Sequence, residues 1–399
     1  MVGTILTRYL TVGIQFIIIV VTLTVYGVFE RGVVAALIAS GGLVGALSSM
    51  TIGKGLLMLV ERNKDDEVVL GQVYSSALLL LLLLILFSYL IHFLLFICLP
   101  GFYGGISAEH LTYFSFAVVY YVWMQVGPYL FSLRGKMRVF NSISLCSNFL
   151  ILVVLIYGYF SNGLIFEFFL LLTSFVFFVE SALGSAFICS NIGGFTPRLK
   201  YIVPILKSGL YLHLDTIGGV FFISLSVVIV NILLGVEAVA EYDIASRLFS
   251  LLCLFPQMVQ LVFHRNVVFQ DTSTLLPKQM QLFRIVSLAY IPLLLISFLL
   301  IRFLAEHFNF DGNVSLLYVI LAIAFLPYFY ASIISPYWIK KGRPLALSLV
   351  SLIAGSLGIL VSVLLIPPVG VYGAAMGVVT SYMIAALVNW RFYKAHLCS

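Results

Sequence analysis

Arg8, Lys54, Glu180, Lys207, His213, Asp215 and Arg247 stand inside, or at the ends of, long apolar runs. An ionisable group in hydrocarbon costs about 2.5–3.5 kcal/mol on insertion scales, so each needs a reason. A basic side chain there snorkels to the interface, pairs with an acid, or binds an anion. An acid or a histidine forms a structural ion pair, or binds and releases a proton or cation. Lys207, Ser208, His213, Asp215 and Thr216 crowd the inner half of one run, while its outer half, Val220 to Leu234, is almost wholly apolar. That inner half should face a bundle interior or a wet cavity. Asp215 lies about ten to twelve residues in, near mid-depth at a rise of about 1.5 Å per residue. His213, two residues away, is not on the same face. Glu180 sits among Phe177, Phe178, Ser181 and Ser185, either protonated or paired with a base. Arg247 either pairs with Glu241 or Asp243 or serves substrate binding or gating. Lys54 follows a stripe of small residues (Gly41-Gly42, Gly45, Ser48-Ser49, Gly53, Gly55) that allows close helix approach.

These groups need membrane-spanning elements to position them. The chain is 62% hydrophobic and 9% charged with a mean hydropathy of +1.17, whereas soluble domains carry about 25% charged residues. A span needs about 20 apolar residues, and its backbone must be satisfied internally, so helices are expected. Twelve fit: 9–28, 33–53, 73–98, 111–133, 139–160, 164–190, 208–234, 244–264, 284–304, 315–338, 345–366 and 373–392. Of the 21 lysines and arginines, all but Arg31, Arg247 and Arg302 then fall on one side. The positive-inside rule makes that side cytoplasmic, with both termini inside. Arg302, with Glu306 following, reads as an interfacial anchor. The first apolar run is too long for a signal peptide and is read as a retained helix.

Several function classes are excluded. No connection is long enough to hold a folded domain; the longest lie near 54–72 and 265–283. No GxxxxGK[ST] phosphate loop is present for a nucleotide-driven pump. Asp65-Asp66-Glu67 is the only acidic run and reads as a solvated loop. The five cysteines, Cys98, Cys146, Cys189, Cys253 and Cys398, are scattered, suggesting neither disulfide nor metal site. The chain therefore reads as a non-enzyme without catalytic residues, metal or cofactor, leaving transport, channel or receptor.

A weak internal repeat favours transport. Arg134-Gly135-Lys136-Met137-Arg138 has its counterpart in Lys340-Lys341-Gly342-Arg343-Pro344, about 206 residues on. Tyr26-Gly27-Val28-Phe29-Glu30 parallels Leu234-Gly235-Val236-Glu237-Ala238, and Gly158 to Gly163 parallels Pro367 to Gly373. The expected architecture is all-α, with two parallel six-helix halves, 1–200 and 201–399, related by a pseudo-two-fold along the membrane normal. Such halves hold substrate at their interface and rock to give alternating access.

The segment Leu234-Gly235-Val236-Glu237-Ala238-Val239-Ala240-Glu241-Tyr242-Asp243-Ile244-Ala245-Ser246-Arg247-Leu248 resembles the seventh-to-eighth helix connection of polysaccharide flippases. Ile366-Pro367-Pro368-Val369-Gly370-Val371-Tyr372-Gly373-Ala374-Ala375 resembles their signature before the twelfth helix, Tyr26-Gly27 their first loop, and Asp215 an aspartate common in their helix seven. His264-Arg265 departs from the pattern, which commonly has a proline after helix eight. Among these proteins the chain resembles the Wzx-type O-antigen flippases, of the polysaccharide-transporter branch of the superfamily that also holds multidrug/toxin extruders and the lipid II flippase. The resemblance implies movement of an undecaprenyl-diphosphate-linked oligosaccharide from the cytoplasmic to the periplasmic leaflet of a bacterial inner membrane. Its partners would be membrane lipids, a polysaccharide polymerase and chain-length machinery, with no nucleic acid. A diphosphate must shed water to cross, and Arg8, Lys54, Lys207 and Arg247 could replace that hydration with charge-assisted hydrogen bonds. Asp215, Glu180 and His213 are then the candidates for ion coupling. His92, Tyr89, Tyr120, Tyr121 and Tyr129 either stack on sugar rings or pack as core and interfacial belt. A multidrug/toxin cation antiporter of the same fold and an O-antigen polymerase are the alternatives. The first would want acidic and aromatic groups, the second a large outer loop with catalytic arginines.

Overall fold

The computed structural model describes all residues except Met1, 63–65, 162–163, 193, 270–271, 308–312 and 397–399. Lys64 and Asp65, Gly163 and Cys398 therefore lie outside the described residues, as do the side chains of His264 and Arg265. The described residues fold into helices joined by short turns, and these make twelve passages.

The first six passages are α1 (Val2–Tyr26), α2 with α3 (Val28–Ser48, Ile52–Arg62), α4 (Glu67–Cys98), a broken passage α5–α6–α7 (Ala108–Tyr113, Ala117–Met124, Gly127–Leu133), α8 (Met137–Ser161) and α9 (Phe166–Asn191). The other six are α10 (Leu199–Leu234), α11 (Val236–Phe269), α12 (Thr272–His307), α13 with α14 (Asn313–Ile323, Phe325–Lys340), α15 (Pro344–Val369) and α16 (Val371–His396). Among the described residues nine helices are long and apolar enough to cross a membrane, and a bent pair, 213–222 with 224–234, makes a tenth. The remaining two fall short for identifiable reasons. The fourth passage is chopped into three pieces, and much of the second half of α11 lies among residues whose side chains are outside the described set. The protein is a multi-pass membrane protein with an all-helical fold.

Most helices outrun the apolar spans that the sequence outlines, because their polar ends stay helical until a glycine or cap stops them. Asp66 caps α4 by accepting from the Val68 and Val69 amides at 3.0 Å each, so this member of the acidic run is a helix cap. Glu67 beside it accepts from Arg134 at 3.1 Å, and the Arg134 guanidinium lies 4.7 Å from the centre of the Tyr74 ring. Arg31, placed by the sequence in an outer connection, is 2% exposed in the first turn of α2.

The chain divides into two compact units, Met1–Ile217 and Gly218–Ser399, with the division inside α10. The turns that end corresponding passages match in backbone. Gly27 and Gly235 take φ +99° and +87°, and Gly135 and Gly342 take +67° and +70°. Each is in the left-handed region that favours glycine. Breaks also correspond. The Ala117 amide, where α6 begins, donates to the Ser174 hydroxyl at 2.8 Å as well as to the Phe114 carbonyl at 3.1 Å. In the second unit the Ala322 carbonyl, beside the α13–α14 break, accepts from the Tyr290 hydroxyl. Broken helices survive in a bilayer only when the backbone groups at the break find partners.

In the first unit the core gathers Ile52, Leu56, Tyr74, Val122, Phe131 and Trp123, which is 1% exposed. A methyl on Gly127 or Gly184 would come within 2.5 Å of the Trp123 indole, so both must be glycine for that ring to fit. In the second unit Phe329, Ile333, Tyr337 and Trp338 pack with Phe392. Trp338 stacks on Phe392 at 3.9 Å between centroids and donates its indole N–H to Asn389 at 2.9 Å. Exposed apolar rows such as Leu82, Leu86, Leu90 and Phe93 on α4 form the surface a bilayer would cover.

Candidate functional site

Between Ser48 and Ile52 the second passage loses its helix. Met50 and Thr51 take φ +46° and +53°, the only described non-glycine residues with positive φ. Such a conformation costs on the order of 1–3 kcal/mol per residue, so surrounding contacts must enforce it. Ser48 and Ser49 turn their hydroxyls back to the carbonyls of Val44 and Ala46 at 2.6 and 2.8 Å, and Ser49 Oγ also accepts from the Thr51 amide at 3.3 Å. The corresponding stretch of α11 stays helical. The inner half of α10 seats in this break. A methyl on Gly209 would lie 2.5 Å from the Met50 carbonyl oxygen, and one on Gly55 would lie 2.7 Å from the Gly209 nitrogen. Of the glycines in the small-residue stripe, Gly55 is where α10 rests, whereas Gly41 and Gly45 admit the Tyr121 side chain and Gly53 the Tyr129 ring.

Two polar pairs close across this junction. Thr51 Oγ1 and His213 Nδ1 are 2.9 Å apart, and Lys54 Nζ donates to Asp215 Oδ2 at 2.9 Å. The Lys54 and Asp215 side chains keep 29% and 35% exposure, so the pair is reachable from an open space. The Tyr129 ring packs over Gly53, beside both charges. His213 and Asp215 point about 200° apart around α10, yet both find partners within Thr51 to Lys54. The irregular backbone offers Thr51 to one face, and the long Lys54 stem reaches the other. Lys54 is thus a base that pairs with Asp215, while Lys207 is exposed on α10 and Arg8 is half-buried on α1.

Glu180 lies elsewhere in the same unit. It is 1% exposed on α9, and its carboxylate faces the Ser144 and Ser147 hydroxyls of α8 without a well-formed hydrogen bond to either oxygen. Asn141, Asn148 and Ser181 are buried on the same two helices. In the second unit Arg247 donates through Nε to Asp243 Oδ1 at 3.3 Å, one helical turn back. Asp243 is 3% exposed, while about a third of the Arg247 side chain remains open. Since α11 begins at Val236, Arg247 lies three turns into its helix, deeper than a helix starting at 244 implies.

The aromatic candidates do not form one platform. Tyr89, His92 and Tyr121 line an apolar cleft of about 400 Å³ with Tyr103 and Phe114, and the Tyr103 hydroxyl hydrogen-bonds His92 Nδ1. Tyr120 stacks on Phe177 at 4.3 Å as core, and Tyr129 belongs to the Lys54 cluster. Thr51, Ser144 and Ser147 are partners that sequence reasoning missed, because a hydroxyl in an apolar helix carries no mark of what it faces.

The chemistry available at the junction is exchange. A lysine held by one carboxylate can be taken by an incoming anion, which frees the carboxylate to bind a proton or cation. Next to it stands the His213 imidazole, hydrogen-bonded to Thr51.

No protein-family model matches the sequence, and no curated protein sequence matches it. Solved structures do match in fold. An inward-facing MATE-family multidrug resistance transporter of the MOP superfamily superposes with a TM-score of 0.73 at 14% identity, covering 98% of this chain and 94% of that one. The lipid II flippase MurJ in an inward closed conformation gives 0.72 at 15% identity over 99% and 88%. The eukaryotic MATE transporter AtDTX14 gives 0.68 at 14% over 98% and 94%. With identities this low and coverage this complete, what is shared is architecture: this chain has the twelve-helix, two-halved fold of MATE transporters of the MOP superfamily and of the lipid II flippase.

Proposed function

We propose that the protein is a transporter that flips an undecaprenyl-diphosphate-linked oligosaccharide from the cytoplasmic to the periplasmic leaflet of a bacterial inner membrane, by alternating access coupled to an ion. The observation that carries this reading is the half-open Lys54–Asp215 pair at the break in the second passage. A transporter for an anionic headgroup needs a desolvated cation that is neutralised while the site is empty, and this pair supplies one. Arg247, held by Asp243 and still a third open, is a second such cation in the other unit. Arg8 and Lys207 complete the basic set along the headgroup's path. Asp215, His213 and Glu180 are the coupling groups of this proposal. A fold likeness to a lipid II flippase and the motif resemblance to polysaccharide flippases support the lipid-linked class.

A multidrug cation antiporter of the same fold is the second reading, favoured by the fold likeness to multidrug MATE transporters and by the apolar aromatic cleft. No structure reported above favours the polymerase. Deleting the protein separates the two remaining readings. A flippase deletion traps complete lipid-linked repeat units in the cytoplasmic leaflet, whereas an antiporter deletion leaves them untouched and sensitises cells to cationic dyes. In the complemented deletion, Lys54→Gln should lower export of repeat units at least about tenfold, the scale of one charge-assisted hydrogen bond, while Lys54→Arg retains part. Normal export by Lys54→Gln would remove Lys54 from the site.

A further inference from the structure

We propose that the second unit carries a binding site for the phosphate headgroup of an anionic membrane lipid, in the cleft between α12 and the end of α16, with Arg284 as its main ligand. The cleft holds about 350 Å³ and is walled by Thr272, Gln281, Arg284 and Tyr393 over a floor of Leu276 and Met280. All but Tyr393 come from one face of α12. The walls offer hydroxyl and amide groups, and a guanidinium can grip two phosphate oxygens at once.

Depth identifies the ligand as a lipid. On α12, positions 285 to 301 carry no charge, and arginines stand at both ends, Arg284 and Arg302. Eighteen residues separate them, about 27 Å of helix rise, against about 30 Å for a bilayer's hydrocarbon core. Arg284 therefore stands at the edge of the hydrocarbon core, from which its long side chain reaches the level of lipid phosphates. It also stands on the bilayer side. Leu288, Ile291, Leu295 and Leu299 are 80%, 73%, 59% and 56% exposed and continue from Arg284 at helical spacing. A diacyl lipid whose tails lie along this stripe brings its phosphate to Arg284. The same two helices carry Lys278, Arg391 and Lys394, all exposed, and along 272–301 and α16 there is no acid, Asp271 being the nearest in sequence. The charge bias of the sequence makes this the cytoplasmic leaflet. A snorkelling anchor would need the arginine alone; a pocket of hydroxyl and amide groups beside it is what a bound headgroup adds.

Native mass spectrometry of the purified full-length chain, titrated with phosphatidylglycerol, tests the site. Arg284→Gln should weaken the tightest-bound lipid roughly tenfold, and Gln281→Ala less, the order expected for charged and neutral hydrogen bonds. Arg284→Lys should recover part of the loss, and Arg302→Gln should leave binding unchanged. Diacylglycerol, with the same tails and no phosphate, should not bind, and millimolar inorganic phosphate should not displace the lipid. Thermal unfolding of Arg284→Gln in lipid-free detergent should match the unsubstituted protein, so that lost binding is not lost folding. Unchanged lipid affinity in Arg284→Gln, or an equal loss in Arg302→Gln, would overturn the site. Displacement by inorganic phosphate would overturn the lipid assignment in favour of a free anion.

Discussion

A carboxyl with no well-formed hydrogen bond, Glu180, and a carboxylate with a lysine on it, Asp215, make opposite demands on the residues around them. Glu180 is buried on α9 with the Ser144 and Ser147 hydroxyls of α8 facing it, so a neutral amide of the same shape should serve the fold equally well. Glu180→Gln is expected to unfold within about 2 °C of the unsubstituted protein, as a change near neutral in energy would. Glu180→Lys, which leaves an uncompensated charge in the same place, should lose on the order of 3 kcal/mol or more. Detergent melts of the two variants check this, and if Glu180 couples transport, Glu180→Gln alone should also make transport indifferent to an imposed gradient. The chemistry at this scale was half legible. Charges deep in apolar runs announce themselves, and the crowding of Lys207, Ser208, His213, Asp215 and Thr216 into the inner half of one helix pointed to a polar environment around it. Which base meets Asp215 was not legible, because Lys54 is 161 residues away along the chain. Lys207 on the same helix was an equally good candidate on paper.

At the scale of elements, the decisive piece is the seat that the 49–51 turn makes for α10. Gly209 meets the Met50 carbonyl so closely that a single methyl must push the two elements apart, whereas Gly219, further along the same helix, has nothing near it. Gly209→Ala should therefore destabilise by about 1–3 kcal/mol, the usual scale of overpacking, and loosen the Lys54–Asp215 pair. Gly219→Ala should be neutral or slightly stabilising, since alanine favours a helix more than glycine does. Paired melts and export assays of the two variants test the seat directly. Passage boundaries were readable because glycine turns and caps punctuate them, and Gly27, Gly135, Gly235 and Gly342 recur in equivalent roles. The break itself was not readable. Met50 and Thr51 are poor choices for a left-handed backbone, and no proline or glycine occupies either position. The conformation is imposed by tertiary contact with α10, which a local reading cannot see.

For the whole molecule, hydropathy and charge bias together reached the right number of passages, even though the fourth is not one continuous helix. Both the fourth, 111–133, and the eighth, 244–264, are legible as apolar runs, and the unbroken alternation of basic residues supports all twelve together. That alternation makes a topological prediction. In a cysteine-free background, Lys136→Cys and Lys341→Cys should react with an impermeant maleimide only after the cytoplasmic face is opened, and Ser107→Cys should react in intact spheroplasts. The reverse pattern would invert the protein and with it the direction of the proposed flipping.

The distribution of tryptophan has an optical consequence. There are three in the chain. Trp123 is buried against glycines in the first unit, Trp338 is stacked and hydrogen-bonded in the second, and Trp390 is 44% exposed beneath the Lys394 ammonium. Replacing Trp390 leaves one tryptophan per unit, each in a distinct environment. Emission maxima and quenching would then follow the two units separately as ligand, lipid or denaturant is added, without any extrinsic label.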